Sequence, residues 1–159
     1  DISAGNMDAA MLQKVADLRV PYICMHMKGE PENMQQNPAY EDVVKEVLDF
    51  FIQKIAQCTK AGITDEIIDP GFGFGKTIAH NFRLLKYLSV FKMLDKPILT
   101  GLSRKSTVYK TLAIPVDQAL NGTTVLNTIA LMHGASILRV HDVKEAKQAA
   151  DLLIAYNKV

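Results

Sequence analysis

Short β-branched runs alternate with stretches of helical periodicity along this chain, and that alternation constrains its fold more than any other feature. It is the mark of a parallel α/β sheet whose crossovers are helices. Four strands are predicted, over residues 20–25, 66–69, 97–101 and 136–141, each apolar through most of its length and ending in polar residues. The clearest helix is predicted over residues 38–60, where Val44, Val47, Leu48, Phe51, Ile52 and Ile55 fall at the spacings that line one face. Asn37 can cap it, Pro38 suits its first turn and Gly62 can end it. A second begins after Asn81 and presents Leu84, Leu85, Leu88 and Phe91; others cover residues 7–18, 116–133 and 143–156, with a turn or two over 105–112.

Spacing then limits the architecture. Met25 to Asp69, Asp69 to Gly101 and Gly101 to Arg139 are 44, 32 and 38 residues apart, so one βα unit takes about 38 residues and four fill the 159-residue chain. An eight-unit barrel typically needs ~250 residues or more. The chain opens on polar turn residues, Asp1-Ile2-Ser3-Ala4-Gly5, directly before a helix, as though the strand delivering them had been cut away. Two architectures remain open: a small doubly wound domain, or the C-terminal half of a barrel. With no repeat beyond the βα alternation, no low-complexity stretch and no linker, residues 1–159 are expected to be one folding unit or part of one.

Composition excludes several function classes. At 48% hydrophobic and 22% charged residues the chain can bury a core and is not a disordered one. Eighteen basic against 17 acidic side chains leave a net charge of +1, without the clustered cations that nucleic-acid binding requires. No apolar run approaches the ~18 residues of a membrane span, and the opening residues resemble no signal peptide. Cys24 and Cys58 form no CxxC and read as buried hydrophobes, so a reducing cytoplasm is expected.

In parallel α/β folds, ligands bind at the C-terminal ends of the strands. Here those ends carry residues 25–29 (MHMKG), 69–77 (DPGFGFGKT), 101–106 (GLSRKS) and 139–142 (RVHD). Asp69 closes an apolar strand, where a carboxylate needs donors: either a ligand with paired N–H groups or the loop backbone itself. Gly71, Gly73 and Gly75 allow close backbone approach, and Phe72 and Phe74 can cover a planar ligand or pack on helices. A P-loop fails by one position, because Pro70 stands where its first glycine belongs and the nearest strong helix start is Asn81; Lys76 is expected to be a surface or loop lysine. Ser103, Arg104, Lys105 and Ser106 suit an anion or a heterocycle's carbonyl oxygen. Arg139 and His141, at i and i+2, share one face of their strand. In a barrel that face is the interior, where an unpaired Arg is costly unless an anion meets it. His26, His80 and His133 complete no metal spacing with His141, and His80 and His133 read as structural residues beside helices.

Together, DISAG, MHMKGEPENMQ, IIDPGFGFGKT, GLSRKS and ILRVHDV, in this order and spacing, closely resemble the dihydropteroate synthase family, over nearly the whole chain. The resemblance implies a (β/α)8 TIM barrel of which this chain supplies the C-terminal four βα units. It implies a transferase of folate biosynthesis, a sulfonamide target, that condenses 6-hydroxymethyl-7,8-dihydropterin pyrophosphate with para-aminobenzoate and releases pyrophosphate. Carried onto this sequence, Asp69 would hold the pterin's ring N–H and amino group, and Lys105 its carbonyl and ring nitrogen. Gly101 would leave room for the ring, with Met25 and Ile2 packed near it and Gly73 beside the pocket. Arg139 would stack on the pterin and, with His141, bind pyrophosphate. Ser106 would meet the aminobenzoate carboxylate, in a pocket walled by Phe74 and Lys105. Mg2+ is implied as cofactor, its associated Asn lying outside this chain, and a homodimer through the later helices. The family's Asn before DIS would precede Asp1, and Ala4 replaces a frequent Gly; this chain alone is expected to have little or no activity. Competing readings are a methyltetrahydrofolate-corrinoid methyltransferase-like barrel and a noncatalytic pterin-binding module.

Overall fold

The computed structural model describes all residues, 1–159. Four strands, β1 (Tyr22–Met25), β2 (Glu66–Asp69), β3 (Leu99–Thr100) and β4 (Ile137–Leu138), alternate with helices α1 (Met11–Leu18), α2 (Val43–Ala61), α3 (Ile78–Lys86), α4 (Ser106–Leu112), α5 (Leu120–Met132) and α6 (Val143–Tyr156). Two 3-10 segments, Leu88–Leu94 and Val116–Gln118, follow α3 and precede α5.

Strand order decides between the two architectures. β1 pairs in parallel with β2, with Met25 opposite Asp69. A parallel bridge joins Ile68 to Ile98, and β3 pairs in parallel with β4, Thr100 opposite Leu138. Each new strand therefore adds beside the one before it. A doubly wound sheet reverses direction at a switch point, whereas right-handed crossovers that always advance the same way put every helix on one side. The result is an arc of barrel wall: helices outside, strand ends gathered along one rim.

Packing follows from this arrangement. Val43, Val47, Phe51 and Cys58 of α2 are buried at helical spacing, together with Leu84, Leu88 and Phe91 from the second crossover and Ile68, Ile98 and Leu102 from the sheet. Phe51 and Phe91 meet edge to face, centroids 6.0 Å apart. On β1, Tyr22 and Cys24 are buried toward the helices while Ile23, between them, is 38% exposed on the inner face.

Several boundaries differ from expectation. α2 starts at Val43 rather than near Pro38, because Asp42 is the stronger cap: its carboxylate accepts from the N–H of Val44 at 2.9 Å and of Lys45 at 3.3 Å. Asn37 instead adopts a left-handed turn conformation, and Ile52 faces solvent. Gly62 does end the helix, at φ 89°. α3 starts at Ile78, not after Asn81, since Thr77 and His80 close a reciprocal capping box. α1 begins at Met11 rather than Met7, and the segment from Val116 divides into a 3-10 turn and α5. Ala4, fully buried, has φ 51°, a conformation glycine adopts without strain.

Candidate active site

The loops after β1 and β2 are pressed together at the rim. A Cβ on Gly71 would lie 1.8 Å from the His26 carbonyl oxygen, and one on Gly75 would lie 2.1 Å from that of Lys28. Both glycines have positive φ, so no other residue fits either position. This contact holds Asp69 at the mouth, 8% exposed. The Gly71 N–H donates to its Oδ1 at 2.8 Å, while Oδ2 has no partner within the chain. Burial raises the Asp69 pKa above the usual carboxylate value; the Gly71 N–H, then Lys105, Lys76 and Arg139, oppose that rise. An unpartnered oxygen on a largely buried carboxylate, still open at the mouth and near cations, is well placed for a ligand presenting N–H donors.

Lys105 reaches the same place from the β3 loop. Its Nζ donates to the Phe72 carbonyl and stands 4.8 Å from the centre of the Phe74 ring. A Cβ on Gly73 would lie 3.2 Å from the Lys105 Cδ, and one on Gly101 would lie 3.8 Å from its Nζ and 4.0 Å from the Arg139 Cβ. Burial lowers the Lys105 pKa to about 8; Asp69 opposes this and Arg139 adds to it. Asp69, Gly73, Phe74, Gly101, Lys105 and Arg139 thus converge on one mouth, and Met25, paired with Asp69 across the sheet, borders it.

The β4 loop is braced against the β3 loop. The Ser103 hydroxyl lies 2.9 Å from His141 Nδ1 and accepts from the His141 N–H at 3.2 Å. Arg104 grips both Asp142 oxygens, at 2.9 and 2.8 Å, and donates to the Val116 and Asp117 carbonyls. Arg104 is therefore a strut, not the free anion-binding cation its place in GLSRKS suggested. Arg139 and His141 are exposed rather than buried, because the inner face of the arc is open where they stand. Ser106 is half-buried at the start of α4. Ile2 is 47% exposed, on a turn anchored beside β1 through the Asp1 ammonium and the Ile23 carbonyl, 3.2 Å apart.

Lys76 lies in the Gly-rich loop, one of the two places expected for it, but at 3% exposed it is buried there and not on the surface. Asn81 had no ligand-like signal at all, yet its Oδ1 accepts from the Gly73 N–H at 2.9 Å. The largest groove, about 640 Å³, lies elsewhere, between α5 and α6, with apolar Met132, Ala149, Leu152 and Leu153 on its walls. It gathers no cation, in contrast to the cluster at the strand ends.

The family described as pterin binding enzyme matches residues 1–141. The chain belongs to this family. It is 45% identical over 140 residues to the dihydropteroate synthase of Escherichia coli, a match covering 87% of this chain and 50% of the relative. The Haemophilus influenzae dihydropteroate synthase is 47% identical over 134 residues, 83% of this chain and 49% of the relative. The chain spans about half the length of these curated relatives. Among solved structures, the Yersinia pestis dihydropteroate synthase in a sulfonamide complex superposes with TM-score 0.95 at 41% identity, over 99% of this chain and 58% of that one. The Xanthomonas albilineans enzyme in complex with 7,8-dihydropteroate superposes with TM-score 0.92 at 38% identity, over 100% and 58%. Within this pterin-binding family, the sequential strand order is that of one side of a (β/α)8 barrel, and the Asp69 mouth lies on the rim where such barrels bind ligands.

Proposed function

We propose that this chain supplies the C-terminal four βα units of a dihydropteroate synthase, joining 6-hydroxymethyl-7,8-dihydropterin pyrophosphate to para-aminobenzoate. The observation that carries this reading is the buried Asp69 carboxylate, with one oxygen unpartnered, beside Lys105 and Arg139. A pterin offers a ring N–H and an amino group side by side, the paired donors that a carboxylate accepts. Lys105 then meets the ring carbonyl and nitrogen, and Gly101 leaves the ring its space. Met25 borders the ring, with Ile2 packed near it. Arg139 and His141 take the pyrophosphate, their exposure leaving them free to do so. Ser106 meets the arylamine's carboxylate, with Gly73, Phe74 and Lys105 along the wall.

The reaction breaks the bond between the pterin methylene carbon and the pyrophosphate oxygen. The arylamine nitrogen bonds to that carbon and loses a proton. Neutralising the leaving group and stabilising the methylene cation are the main demands, and both are electrostatic. Arg139 and His141 serve the first and Asp69 the second. Mg2+ belongs with the pyrophosphate in this reading. Mg2+ commonly relies on substrate phosphates and water, which fits a chain in which no three His, Cys, Asp or Glu side chains stand together. The apolar α5–α6 groove supports a homodimer through the later helices. The free, buried Cys24 and Cys58 fit a cytoplasmic protein, and no helix is long and apolar enough to cross a membrane.

The test is to supply the full-length protein and the isolated chain with pterin pyrophosphate and Mg2+, with and without para-aminobenzoate. The full-length protein is expected to release one pyrophosphate per dihydropteroate formed, only when arylamine is present; the isolated chain is expected to show little or no turnover. Pterin binding without arylamine-dependent pyrophosphate release would leave a noncatalytic binding module instead.

A further inference from the structure

A lysine ammonium is rarely buried without a carboxylate in contact, and Lys76 is such a case. Its Nζ donates to the carbonyls of Gly71 and Phe74, each at 3.0 Å, stands 2.9 Å from His26 Nδ1, and reaches the His26 carbonyl at 3.5 Å. One end of this set belongs to the loop after β1 and the other to the loop after β2. The ammonium therefore staples two backbones that Gly71 and Gly75 already allow to touch.

We propose that Lys76 is a positioning residue that holds the Gly71–Phe74 turn in the shape that seats Lys105 and forms the arylamine side of the pocket. The path is short. Lys76 fixes the carbonyls on either side of Phe72 and Gly73, the Phe72 carbonyl receives the Lys105 ammonium, and the Phe74 ring lies under that ammonium. Asn81 holds the same turn through the Gly73 N–H. The Phe74 N–H closes it on the Gly71 carbonyl at 3.0 Å, so that carbonyl accepts two bonds, one of which is charge-assisted. The turn has three glycines in five residues and no side chain but Phe72 buried in the core; Lys105 holds the Phe72 carbonyl, Gln35 that of Gly73 and the Tyr40 hydroxyl that of Gly75, so Lys76 is the side chain that ties those of Gly71 and Phe74.

His26 serves the staple from the other side. It is buried, 5% exposed, with its ring edge-on to Phe50 at 4.9 Å. Burial and then Lys76 push its pKa down to about 3, so its ring is neutral and Nδ1 can accept. Burial also lowers the Lys76 pKa to about 7, against the pull of Asp69 and with a further push from Lys105. The charged groups around the staple are thus Asp69 and Lys105 at the mouth, with Lys28 acting on His26 from the first loop.

This inference rests on the proposed synthase reaction and is tested in the full-length protein with Lys76→Met, which keeps the stem and removes the donors. Removing the ammonium relieves the cost of burying a charge but takes a donor from two carbonyls and from His26 Nδ1, so circular dichroism first verifies that the variant folds. The KM for para-aminobenzoate is expected to rise at least tenfold, while pterin pyrophosphate binding, measured without arylamine, weakens by a clearly smaller factor, because Lys105 and Asp69 touch the same turn from the pterin side. An arylamine KM within twofold of the unmodified protein, or equal losses for both substrates, overturns the proposal. If Lys76→Met fails to fold, His26→Leu, which removes the Nδ1 partner and keeps an apolar side chain against Phe50, is expected to raise the arylamine KM about fivefold with a smaller loss of pterin binding; no such change overturns it. Failure of the unmodified protein to make the adduct sinks the functional reading and this one together. Activity in the unmodified protein with an unaltered Lys76→Met variant sinks this one alone.

Discussion

The Ser103 hydroxyl both receives the His141 backbone N–H at 3.2 Å and lies 2.9 Å from the Nδ1 of the same residue. Because its oxygen already accepts from the backbone, its own hydrogen is available to Nδ1, which leaves Nε2 as the ring's outward donor. The imidazole is thus oriented for an anion before one arrives. Ser103→Ala is expected to raise the KM for pterin pyrophosphate about fivefold, the loss of one hydrogen bond of ~1 kcal/mol, with the arylamine KM unchanged. Steady-state kinetics on the full-length protein decide this, and an unaltered pterin KM would remove the orienting role.

Asp69→Asn separates binding from chemistry. The amide keeps one acceptor oxygen for the pterin but cannot balance positive charge developing on the ring. Turnover is therefore expected to fall more than pterin affinity, by about a hundredfold or more against tenfold or less, on the scale of losing one electrostatic stabiliser. Single-turnover rates and a pterin titration on the same variant give both numbers. Unchanged turnover with weaker binding would refute the assignment.

The Lys105 pKa of about 8 sets a pH dependence. Below that value the ammonium is charged and can donate to the pterin carbonyl; above it the amine is neutral and the contact weakens. The kcat/KM for pterin pyrophosphate is expected to fall as pH rises through about 8 in the free enzyme, and Lys105→Gln is expected to start low and lose that descent. Stability has the opposite sign. Lys105 and Lys76 both bind protons less readily folded than unfolded, so between about pH 7 and pH 9 the unfolded chain carries more protons and raising pH favours the fold. Denaturant titrations across that window are expected to show rising stability, with a shallower rise in Lys76→Met.

Much of this site was legible before any coordinates. Asp69, Lys105 and Arg139 each follow an apolar strand, and the parallel fold gathers strand ends on one rim regardless of helix detail. The order of the strands was not legible, because βα alternation and spacing are common to both a barrel arc and a doubly wound sheet; the Ile68–Ile98 bridge and the β3–β4 pairing carry that information. The burial of Lys76 inside its loop has no local signal, for a physical reason. A lysine is normally left in water, and only the close approach of residues 26–28 to 71–75 makes a cage of carbonyls and an imidazole nitrogen that replaces its hydration. Arg104 was misread because Asp142, its partner, lies 38 residues away, beyond any local pattern.

Arg104 now yields a sharper expectation than an anion-binding role would. Its guanidinium holds Asp142 below the ordinary carboxylate range and ties the β3 loop to the β4 loop and, through the Val116 and Asp117 carbonyls, to the turn before α5. Three segments meet on one planar group whose donors diverge, and an ammonium cannot satisfy them together. Arg104→Lys retains the charge and loses the fork, so if the strut matters more than the charge, the substitution should behave almost like Arg104→Ala. Both are expected to lower kcat/KM for pterin pyrophosphate about tenfold, since Ser103 and Lys105 flank the strut on one side and His141 adjoins Asp142 on the other. A Lys variant with near-normal kinetics beside a defective Ala variant would return the role to charge alone.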